Sequence, residues 1–472
     1  MGSREVTDWQ GKNVTVAGLG VSGLPAAKVL HGLGANVTVV NDGDDARARE
    51  QAAGLEALGV TVRLGDGATL PEGAELVVTA PGWKPDKPLF TAARAAGVPV
   101  WGDVELAWRL RGPDAAPWLC VTGTNGKTTT TRMLASILEA AGLRTAAVGN
   151  IGVSLLDAVL GDERYDVLAV ELSSYQLHWA PSLRAHSAAV LNLAPDHLDW
   201  HGSMEAYAKD KGRVYEGNRV ACVYNVADKA TEDLVREADV EEGCRAIGFT
   251  LGAPAPSQLG VVDGILVDRA FVEDRQKNAQ ELAEVADVDP PAPHNIANAL
   301  AAAALARAFG VPPKAVRDGL RAFVPDAHRI AHVADVDGVA YVDDSKATNT
   351  HAAQASLAAY GSIVWIAGGL AKGATFDELV AGSAKRLRGV VLIGADRALI
   401  REALARHAPE VPVVDLDRTD TGAMSAAVQE ARRLAAEGDT VLLAPACASM
   451  DMFVNYNQRG DAFAQAVREL GT

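Results

Sequence analysis

The sequence has few aromatic residues, no CxxC pair and no long apolar run. Phe, Trp and Tyr together make up 5% of its 472 residues. The four cysteines, Cys120, Cys222, Cys244 and Cys447, are scattered along the chain, which argues against a disulfide framework or a zinc knuckle. No apolar segment approaches the ~18 residues that a membrane span needs, and the first residues lack the apolar region of a secretory signal. These absences predict a cytoplasmic protein that does not insert into a membrane.

An excess of basic residues is also missing. Asp and Glu number 60 against 44 Lys and Arg, and the formal net charge is -16. This balance argues against nucleic acid or an acidic membrane as a partner. It does not exclude anionic small molecules as ligands, because backbone N–H groups at a helix N-terminus bind phosphate even in an acidic protein.

Short β-branched runs alternate with Ala- and Leu-rich stretches along the whole chain. The alternation predicts an α/β fold built on parallel sheets. Predicted strands cover residues 13–17, 36–40, 75–79, 118–121, 167–170, 188–191, 219–224, 340–342, 362–367, 389–393 and 440–443, and predicted helices 22–33, 203–216 and 295–309. A chain of this length exceeds one hydrophobic core. Breaks near 111–117 and 323–328 predict three domains, 1–110, 111–325 and 326–472.

The sharpest motif is a glycine loop between an apolar strand and a helix. Residues 121–129 are Val121, Thr122, Gly123, Thr124, Asn125, Gly126, Lys127, Thr128 and Thr129. Glycines let successive N–H groups face one anion, and the helix N-terminus adds its positive dipole end. Lys127 is placed to reach the β- and γ-phosphates and Thr128 to ligate Mg²⁺. Only two residues separate the glycines, where the common phosphate loop has four, yet the strand–loop–helix order favours phosphate binding over an ordinary helix cap.

A second glycine loop stands near the N-terminus, between a predicted strand and a predicted helix. It comprises Gly18, Leu19, Gly20, Val21, Ser22 and Gly23, with Asp42 after the next strand. This GxGxxG pattern with a following acid is typical of a dinucleotide fold. It is weak evidence for a nicotinamide cofactor, because any pyrophosphate suits the same turn.

From Thr122 to Asp451 the chain closely resembles the Mur ligase family, whose nucleotide loop is this shortened TGTNGKTT. The likeness also covers ELSS at 171–174, APDHLDWHG at 194–202, HNIAN at 294–298, DDSKATN at 343–349, GGLAKG at 368–373 and APACASMDMF at 444–453. It is weaker before Thr122. The resemblance implies a Rossmann-like N-terminal domain that binds a UDP-sugar, a central ATPase domain of phosphate-loop type, and a Rossmann-like C-terminal domain that binds an amino acid.

The resemblance also implies a metal and nucleotide site. Its expected cofactors are ATP and two Mg²⁺ ions, with Thr128, Glu171, His197 and a Lys211 carbamylated by CO₂ as metal ligands, and Asn295 and Arg329 as further ATP contacts. From the residues alone, His197 is one of four equal candidates, the others being Asp196, Asp199 and His201. From the residues alone, Lys211 and its neighbour Lys209 would both be solvated surface charges.

The substrate residues follow from the same resemblance. The UDP-sugar path is expected to include Gly18, Leu19, Gly20, Ser22, Gly23, Asp42, Thr79, Pro81, Gly82 and Asn150. Ala80 stands where the family's D-glutamate-adding members have serine, which removes one hydroxyl that Thr79 is placed to replace. The amino-acid pocket is expected to comprise Thr348, Lys372, Ser449 and the backbone near Phe453, and Lys346 is expected to neutralise the transferred phosphate.

The implied activity is ATP-dependent amide-bond formation in peptidoglycan precursor synthesis. The GLGxSG and SKATN segments favour the member that joins D-glutamate to UDP-N-acetylmuramoyl-L-alanine, acting as a monomer on small molecules. Other ligases of the family, which add L-alanine, a diamino acid, a dipeptide or glutamate to a folate, stay open. So do a nicotinamide-dependent oxidoreductase, which would leave TGTNGKTT without a role, and an inactive nucleotide-binding regulator, which the complete set of phosphate and metal residues disfavours.

Overall fold

The computed structural model describes residues 8–325, 327–418, 420 and 422–470. They form two compact units. The first falls within Met1–Val288 and Ile296–Phe323, and the second within Asp289–Asn295 and Val324–Thr472. Two sheets lie in the first unit and one in the second.

The first sheet is wholly parallel, with strand order β3-β2-β1-β4-β5. Its strands are β1 Asn13–Ala17, β2 Asn36–Asn41, β3 Thr61–Leu64, β4 Leu76–Thr79 and β5 Val100–Gly102. The intervening helices are α1 Gly23–Gly32, α2 Ala46–Glu56, α3 Pro88–Ala95 and α4 Asp103–Leu110. Because β1 and β4 are adjacent and parallel, the loops that follow them, 18–22 and 80–82, meet at one edge of the sheet.

The second sheet has nine strands in the order β14-β13-β12-β11-β10-β9-β6-β8-β7. They are β6 Trp118–Thr122, β7 Ala147–Gly149, β8 Leu168–Glu171, β9 Ser187–Val190, β10 Ala221–Asn225, β11 Arg245–Phe249, β12 Gln258–Val262, β13 Ile265–Asp268 and β14 Gln280–Glu284. Strands β6 to β12 pair in parallel, and β13 and β14 extend the edge as an antiparallel meander. Strands β6, β8 and β9 are buried throughout, as expected for a sheet covered on both faces.

Helices and 3₁₀ turns surround this sheet. The helices are α5 Lys127–Ala140, α6 Leu155–Leu160, α7 Ser174–His178, α8 Leu198–His201, α9 Met204–Gly212, α10 Lys229–Glu237, α11 Pro293–Ala308 and α12 Pro313–Ala322. The 3₁₀ turns are Arg213–Tyr215 and Val285–Asp287. The helix predicted over 203–216 is therefore shorter than expected, since it ends at Gly212 and passes into a 3₁₀ turn.

The third sheet, in the second unit, has the order β15-β16-β20-β17-β18-β19. Its strands are β15 Ala331–Val336, β16 Val339–Asp343, β17 Ile363–Gly368, β18 Leu387–Ile393, β19 Val413–Asp415 and β20 Thr440–Leu443. Only the β15–β16 hairpin is antiparallel. Its helices are α13 Thr350–Ala358, α14 Asp377–Ser383, α15 Arg397–His407, α16 Ala423–Leu434 and α17 Tyr456–Leu470, with a 3₁₀ turn at Ala384–Arg386.

The predicted α/β class is confirmed. All eleven predicted strands are present, each within a few residues of its expected bounds, and 13–17 and 440–443 match to the residue. The three sheets fall inside the three predicted domain ranges, while the boundaries near residues 110 and 325 stay a prediction. No helix in the described ranges is long and apolar enough to cross a membrane.

Candidate active site

The glycine loop after β6 has the backbone that its sequence predicts. Gly123 and Gly126 adopt φ values of 149° and 84°, a region that residues with a Cβ rarely enter. A Cβ at Gly126 would lie 2.4 Å from Asn298 Oδ1. Glycine is therefore required at Gly126 both for its backbone angle and for the close approach of Asn298.

The segment after β9 holds this loop in place. Thr124 N donates to Asn192 O over 3.0 Å, and Asn125 N donates to Asn192 Oδ1 over 2.9 Å. The Thr124 hydroxyl accepts from Ala194 N at 3.0 Å and lies 3.0 Å from the Tyr207 hydroxyl. Thr124 is thus a buried structural anchor, while Thr128 and Thr129 continue into the first turn of α5.

Two lysines converge on the carbonyl of Gly123. Lys127 Nζ lies 3.0 Å from Gly123 O and 2.9 Å from Thr124 O, and Lys211 Nζ lies 2.7 Å from Gly123 O. Lys211 is only 2% exposed, so its surface interpretation is wrong; Lys209 is exposed as expected. Burial, together with the positive charge of Lys127, holds the pKa of Lys211 well below its ordinary value. The structure therefore concentrates cationic side chains where a phosphate chain would bind.

Glu171 supplies a buried carboxylate beside the loop. It ends β8, next to β6 in the sheet, and is 2% exposed. Asn150 Nδ2 donates to its Oε1 over 2.9 Å, whereas Oε2 is buried and has no hydrogen-bond partner among the described residues. A buried carboxylate oxygen without a donor is costly unless a cation or a ligand satisfies it.

His197 lies on the loop after β9, one residue before α8. Its backbone is left-handed, with φ 53°, and its ring packs on Tyr175 with a centroid distance of 4.8 Å. Burial lowers the pKa of His197, and the charges of Lys127 and Lys211 lower it further, against the opposing effect of Asp196. The resulting neutral imidazole is the form that binds a metal.

These residues could supply only part of the coordination shell of a divalent cation. No group of three or more His, Cys, Asp or Glu side chains in the described residues is arranged to hold a metal ion. Mg²⁺ is commonly bound by one or two carboxylates, with water and substrate phosphates completing its octahedron. The Oε2 atom of Glu171, which has no hydrogen-bond partner among the described residues, and the hydroxyl of Thr128 are oxygen atoms that could act as ligands of such an ion.

The sequence did not identify Asp210, which lies behind this site. Its buried carboxylate accepts hydrogen bonds from His178 Nδ1 at 2.9 Å, His201 Nδ1 at 3.0 Å and Arg213 Nε at 3.1 Å. Burial opposes ionisation, but the two histidine bonds prevail and lower the pKa of Asp210 to about 2. His201 is one of the four candidate residues after β9. Its Nδ1 atom is bonded to Asp210 and its Nε2 atom to Ser174 Oγ, so neither ring nitrogen is available to a metal.

A cavity of about 440 Å³ lies beside the N-terminal glycine loop. Three of the predicted UDP-sugar residues line it, Ser22, Pro81 and Asn150. Two residues that the sequence did not single out, Asp103 and Gln176, line it as well. Ser22 Oγ donates to Asp103 Oδ2 over 3.0 Å. Since Asn150 also contacts Glu171, the cavity adjoins the metal-ligand candidates.

Other predicted UDP-sugar residues are placed around the same loop. Gly18 has φ 102°, and a Cβ at Gly23 would lie 1.9 Å from Gly18 O, so this turn requires glycine at both ends. Leu19 N donates to Asn41 Oδ1, and Gly20 follows in the turn. Gly82 O accepts from Trp200 Nε1 over 3.2 Å. Thr79 is buried, and its hydroxyl donates to Ala80 O, which commits its proton to the backbone. Asp42 is exposed and paired with Lys87.

In the second unit, three loops gather at one edge of the third sheet. They follow the parallel strands β16, β17 and β20. Leu370 and Ala448 exchange two backbone hydrogen bonds, of 2.9 and 3.0 Å, and Ala446 N donates to Ala347 O over 2.9 Å. The structure therefore brings together the loops of the predicted amino-acid pocket.

The pocket residues differ in exposure. Lys372 is exposed, with φ 50°, Thr348 is half-buried, and Ser449 and Phe453 are buried. Phe453 N donates to Ser449 O over 2.9 Å, so this amide is engaged within its own loop. Lys346 Nζ lies 3.8 Å from the centre of the Tyr456 ring, a cation–π contact.

Arg459, also missed from the sequence, lies beneath this pocket. Its guanidinium is 1% exposed and donates to Ser345 O, Ser345 Oγ and Cys447 O over 2.8, 3.0 and 3.1 Å. Burial lowers its pKa to about 10. One buried cation thus ties the loop after β16 to the loop after β20.

The predicted ATP contacts Asn295 and Arg329 lie in the second unit. Asn295 Nδ2 donates to Pro290 O over 3.3 Å. Burial raises the pKa of Asp344 to about 6, and the charge of Arg329 opposes that rise. Asn298, three residues after Asn295 on α11, lies against Gly126 of the glycine loop that follows β6.

Comparisons with known proteins identify the family of the chain. Residues 121–306 match the family model described as Mur ligase middle domain, and residues 328–447 match the model described as Mur ligase, glutamate ligase domain. A UDP-N-acetylmuramoylalanine–D-glutamate ligase from Streptomyces avermitilis is 89% identical over 99% of this chain and 100% of its own length. Ligases of the same name from Thermobifida fusca and Mycolicibacterium smegmatis are 60% and 49% identical, over 98% and 97% of this chain and 99% and 97% of their own lengths.

The chain belongs to the Mur ligase family.

Two solved ligase structures share the fold at low identity. MurF from Thermotoga maritima in complex with ADP has a TM-score of 0.57 at 16% identity, covering 98% of this chain and 96% of its own. The pseudomurein peptide ligase type C from Methanothermus fervidus has a TM-score of 0.57 at 17% identity, covering 98% and 100%. At this distance the likeness shows the fold alone.

Proposed function

We propose that this protein is the ATP-dependent ligase that joins D-glutamate to UDP-N-acetylmuramoyl-L-alanine in cytoplasmic peptidoglycan precursor synthesis. The observation that carries the proposal is the 89% identity, over 99% of this chain and 100% of its relative, to a ligase named for this reaction. The geometry supports the nucleotide chemistry independently, since Lys127 and Lys211 converge on Gly123 O beside the buried Glu171.

The reaction needs no protein nucleophile. The L-alanine carboxylate of the substrate attacks the γ-phosphate of ATP and gives an acyl phosphate and ADP. The amine of D-glutamate then attacks the acyl carbon, and phosphate leaves as the amide forms. Catalysis of phosphoryl transfer is mainly positioning and charge stabilisation, so we assign Lys127 to the β- and γ-phosphates and Lys346 to the transferred phosphate.

The metal site would be formed around the phosphate loop. Thr128, Glu171, His197 and a carbamylated Lys211 would hold two Mg²⁺ ions, which when bound neutralise phosphate charge. CO₂ reacts with a neutral amine, and a buried lysine with a lowered pKa supplies one. The carbamate would turn a buried cation into an anionic oxygen donor, which suits Mg²⁺ better than an ammonium does.

We assign the substrate sites as the sequence predicts. The UDP-sugar would bind at the 440 Å³ cavity and the loops around it, with its reactive end toward Glu171, since Asn150 contacts both. Asn295 and Arg329 would contact ATP. Thr348, Lys372, Ser449 and the backbone near Phe453 would bind D-glutamate, whose two carboxylates need a cation and fixed donors to replace their hydration.

Phosphate release tests the proposal. The enzyme is supplied with ATP, Mg²⁺ and UDP-N-acetylmuramoyl-L-alanine, and D-glutamate is compared with L-glutamate, L-alanine and a diamino acid. We expect release with D-glutamate alone. Release with another amino acid would keep the ATP chemistry and refute the pocket assignment. No release with any amino acid, together with a spectral change on titration with a reduced nicotinamide, would favour the oxidoreductase instead.

A further inference from the structure

Two of the four cysteines are neighbours in the fold. The Sγ atoms of Cys222 and Cys244 lie 3.9 Å apart, and both thiols are free. Cys222 is the second residue of β10, and Cys244 immediately precedes β11. In the parallel register of β10 and β11, Cys222 lies opposite Ala246, so Cys244 is its diagonal neighbour two residues earlier on the adjacent segment.

The two thiols differ in access. Cys222 is 2% exposed and lies between β9 and β11 in the sheet, whereas Cys244 is half-buried at the end of an exposed turn. The hydrogen bond between the two sulfurs lowers the pKa of Cys244 and raises that of Cys222, which burial raises further. Cys244 is therefore the more accessible of the two thiols, and the lowered pKa favours its ionisation over that of Cys222.

We propose that Cys222 and Cys244 form an oxidation site, at which a peroxide converts the two thiols into a disulfide between β10 and β11. The Cys244 thiolate attacks one oxygen of hydrogen peroxide, which gives a sulfenic acid and hydroxide. The Cys222 sulfur then attacks the Cys244 sulfur and displaces its oxygen as water. Overall, two thiols lose two electrons and two protons, and one peroxide becomes two waters.

The geometry allows the bond to close locally. A disulfide requires sulfurs about 2.05 Å apart, so the pair must approach by roughly 2 Å. Cys244 lies outside β11, and its N–H is bonded to Glu241 O within the turn, so a shift of this residue leaves the strand pairing intact. The acidic neighbours Glu241 and Glu242 favour a neutral oxidant such as hydrogen peroxide over an anionic one.

The other two cysteines lack these features. Cys120 and Cys447 are 0% and 1% exposed. Burial raises the pKa of Cys120 and raises that of Cys447 to about 12, so neither reacts readily as a thiolate. They serve as internal controls within the same chain.

The disulfide would act on stability. Cys222 lies toward the amino end of β10, whereas the phosphate loop follows the carboxyl end of β6, two strands away in the same parallel direction. The bond would close the chain segment that contains α10, and closing a loop restricts the unfolded state. We expect the oxidised protein to unfold at a higher temperature than the reduced protein.

The test is peptide mapping of the folded full-length protein after hydrogen peroxide treatment, without reductant. Trypsin places Cys222 in peptide 220–229 and Cys244 in peptide 237–245. We expect these peptides to appear joined, two hydrogen masses below their sum, and to separate on reduction with dithiothreitol. Cys222→Ser and Cys244→Ser should each abolish the joined peptide, and the double variant should abolish the peroxide-dependent rise in unfolding temperature.

Three outcomes would overturn the proposal. The first is the absence of the joined peptide when the same treatment oxidises Cys244 to a sulfinic acid. The second is a bridge that involves Cys120 or Cys447. The third is a 222–244 bridge that forms only after denaturation. If both single variants failed to fold, alkylation of the wild-type protein would still decide. The folded protein is treated with peroxide and then denatured without reductant, and peroxide must have protected Cys222 and Cys244 together from the alkylating agent.

Discussion

Asp210 Oδ2 accepts a hydrogen bond from His201 Nδ1 over 3.0 Å, and the other nitrogen of that ring lies 3.0 Å from Ser174 Oγ. His201 ends α8, the short helix that His197 precedes, and Asp210 immediately precedes Lys211 on α9. One buried carboxylate therefore fixes the positions of two candidate metal ligands, although it is not itself a candidate ligand. Partners of this kind orient ligands in metal sites generally.

Asp210→Asn is expected to weaken the metal site without unfolding the chain. An amide has one acceptor oxygen, and its NH₂ group faces the same donors, so it cannot accept from His178, His201 and Arg213 together. Loss of an outer partner commonly lowers metal affinity or activity by about 10- to 100-fold. The measurement is the Mg²⁺ concentration for half-maximal phosphate release. Asp233→Asn, which removes an exposed pair with Lys229, is the control. An unchanged Mg²⁺ dependence in Asp210→Asn would refute the positioning role.

Lys127→Ala is expected to lower kcat by about 10²–10³, the usual cost of losing one well-placed charge stabiliser. Its ammonium faces the carbonyls of the phosphate loop, where the β- and γ-phosphates would bind. The matched control is Lys209→Ala, which removes an exposed lysine on α9. Rates are compared at saturating substrates, with circular dichroism to verify folding. A near-wild-type rate for Lys127→Ala would count against the phosphate-loop assignment.

Lys211→Ala tests carbamylation directly. If the carbamate supplies a metal ligand, the alanine variant should lose most of its activity, and millimolar acetate or formate should restore part of it by occupying the vacated space. Lys211→Arg keeps the charge but cannot be carbamylated, so it should be inactive and should not respond to these acids. Full activity of Lys211→Ala, indifferent to added acids, would contradict the assignment.

The sequence predicted the fold and the glycine loop after β6 because both depend on local signals. Strands such as 13–17 and 440–443 are rich in apolar and β-branched residues and are bounded by turns, so their composition and their flanking residues set their limits. Short edge strands such as β3 and β19 carry weak signals of this kind and were not predicted. The backbone angles at Gly123 and Gly126, and the close approach of other atoms, require glycine at both positions. The glycines themselves therefore mark these positions in the sequence.

The residues that hold the candidate site residues in place could not be predicted from the sequence. Asp210 and Arg459 are buried and Asp103 is half-buried, and each has at least one hydrogen-bond partner from a distant part of the chain. Nothing near them in sequence distinguishes them from the solvated charges that such residues usually are. The Cys222–Cys244 contact is of the same kind, since it depends on strand register between residues that appear merely scattered.

Gly126→Ala and Gly142→Ala form a matched pair on one helix. Both glycines have positive φ, 84° and 79°, at the two ends of α5, so alanine costs roughly 1–2 kcal/mol of backbone strain at each. A Cβ at Gly142 meets nothing within 4 Å, while one at Gly126 collides with Asn298. We expect the unfolding temperature to fall in both variants, and to fall further in Gly126→Ala because of this collision. We expect a loss of ATP binding, measured by calorimetric titration, in Gly126→Ala only. Equal ATP affinity in both variants would contradict the requirement for glycine in the loop.

The stability of the second unit is expected to depend on pH through His328. His328 Nδ1 lies 2.6 Å from Asp343 Oδ2, and this hydrogen bond, with the charges of Asp343 and Asp461, raises the pKa of His328 above its ordinary value of 6.5. A group whose pKa is raised by folding stabilises the folded state fully below its unfolded pKa. That stabilisation is lost as pH rises through the folded pKa.

His328→Gln should therefore lower the unfolding temperature more at low pH than at high pH. Glutamine has no charge at either pH, so the difference in unfolding temperature between wild type and variant isolates the histidine from other titrating groups, including Asp344. We expect this difference to be larger near about pH 6 than near about pH 9. His332→Gln removes an exposed histidine paired with Asp335 and should show little effect, because exposed ion pairs contribute little. A difference for His328→Gln that grows with pH would mean that the folded protein holds this histidine neutral, and the Asp343 bond would then not be charge-assisted.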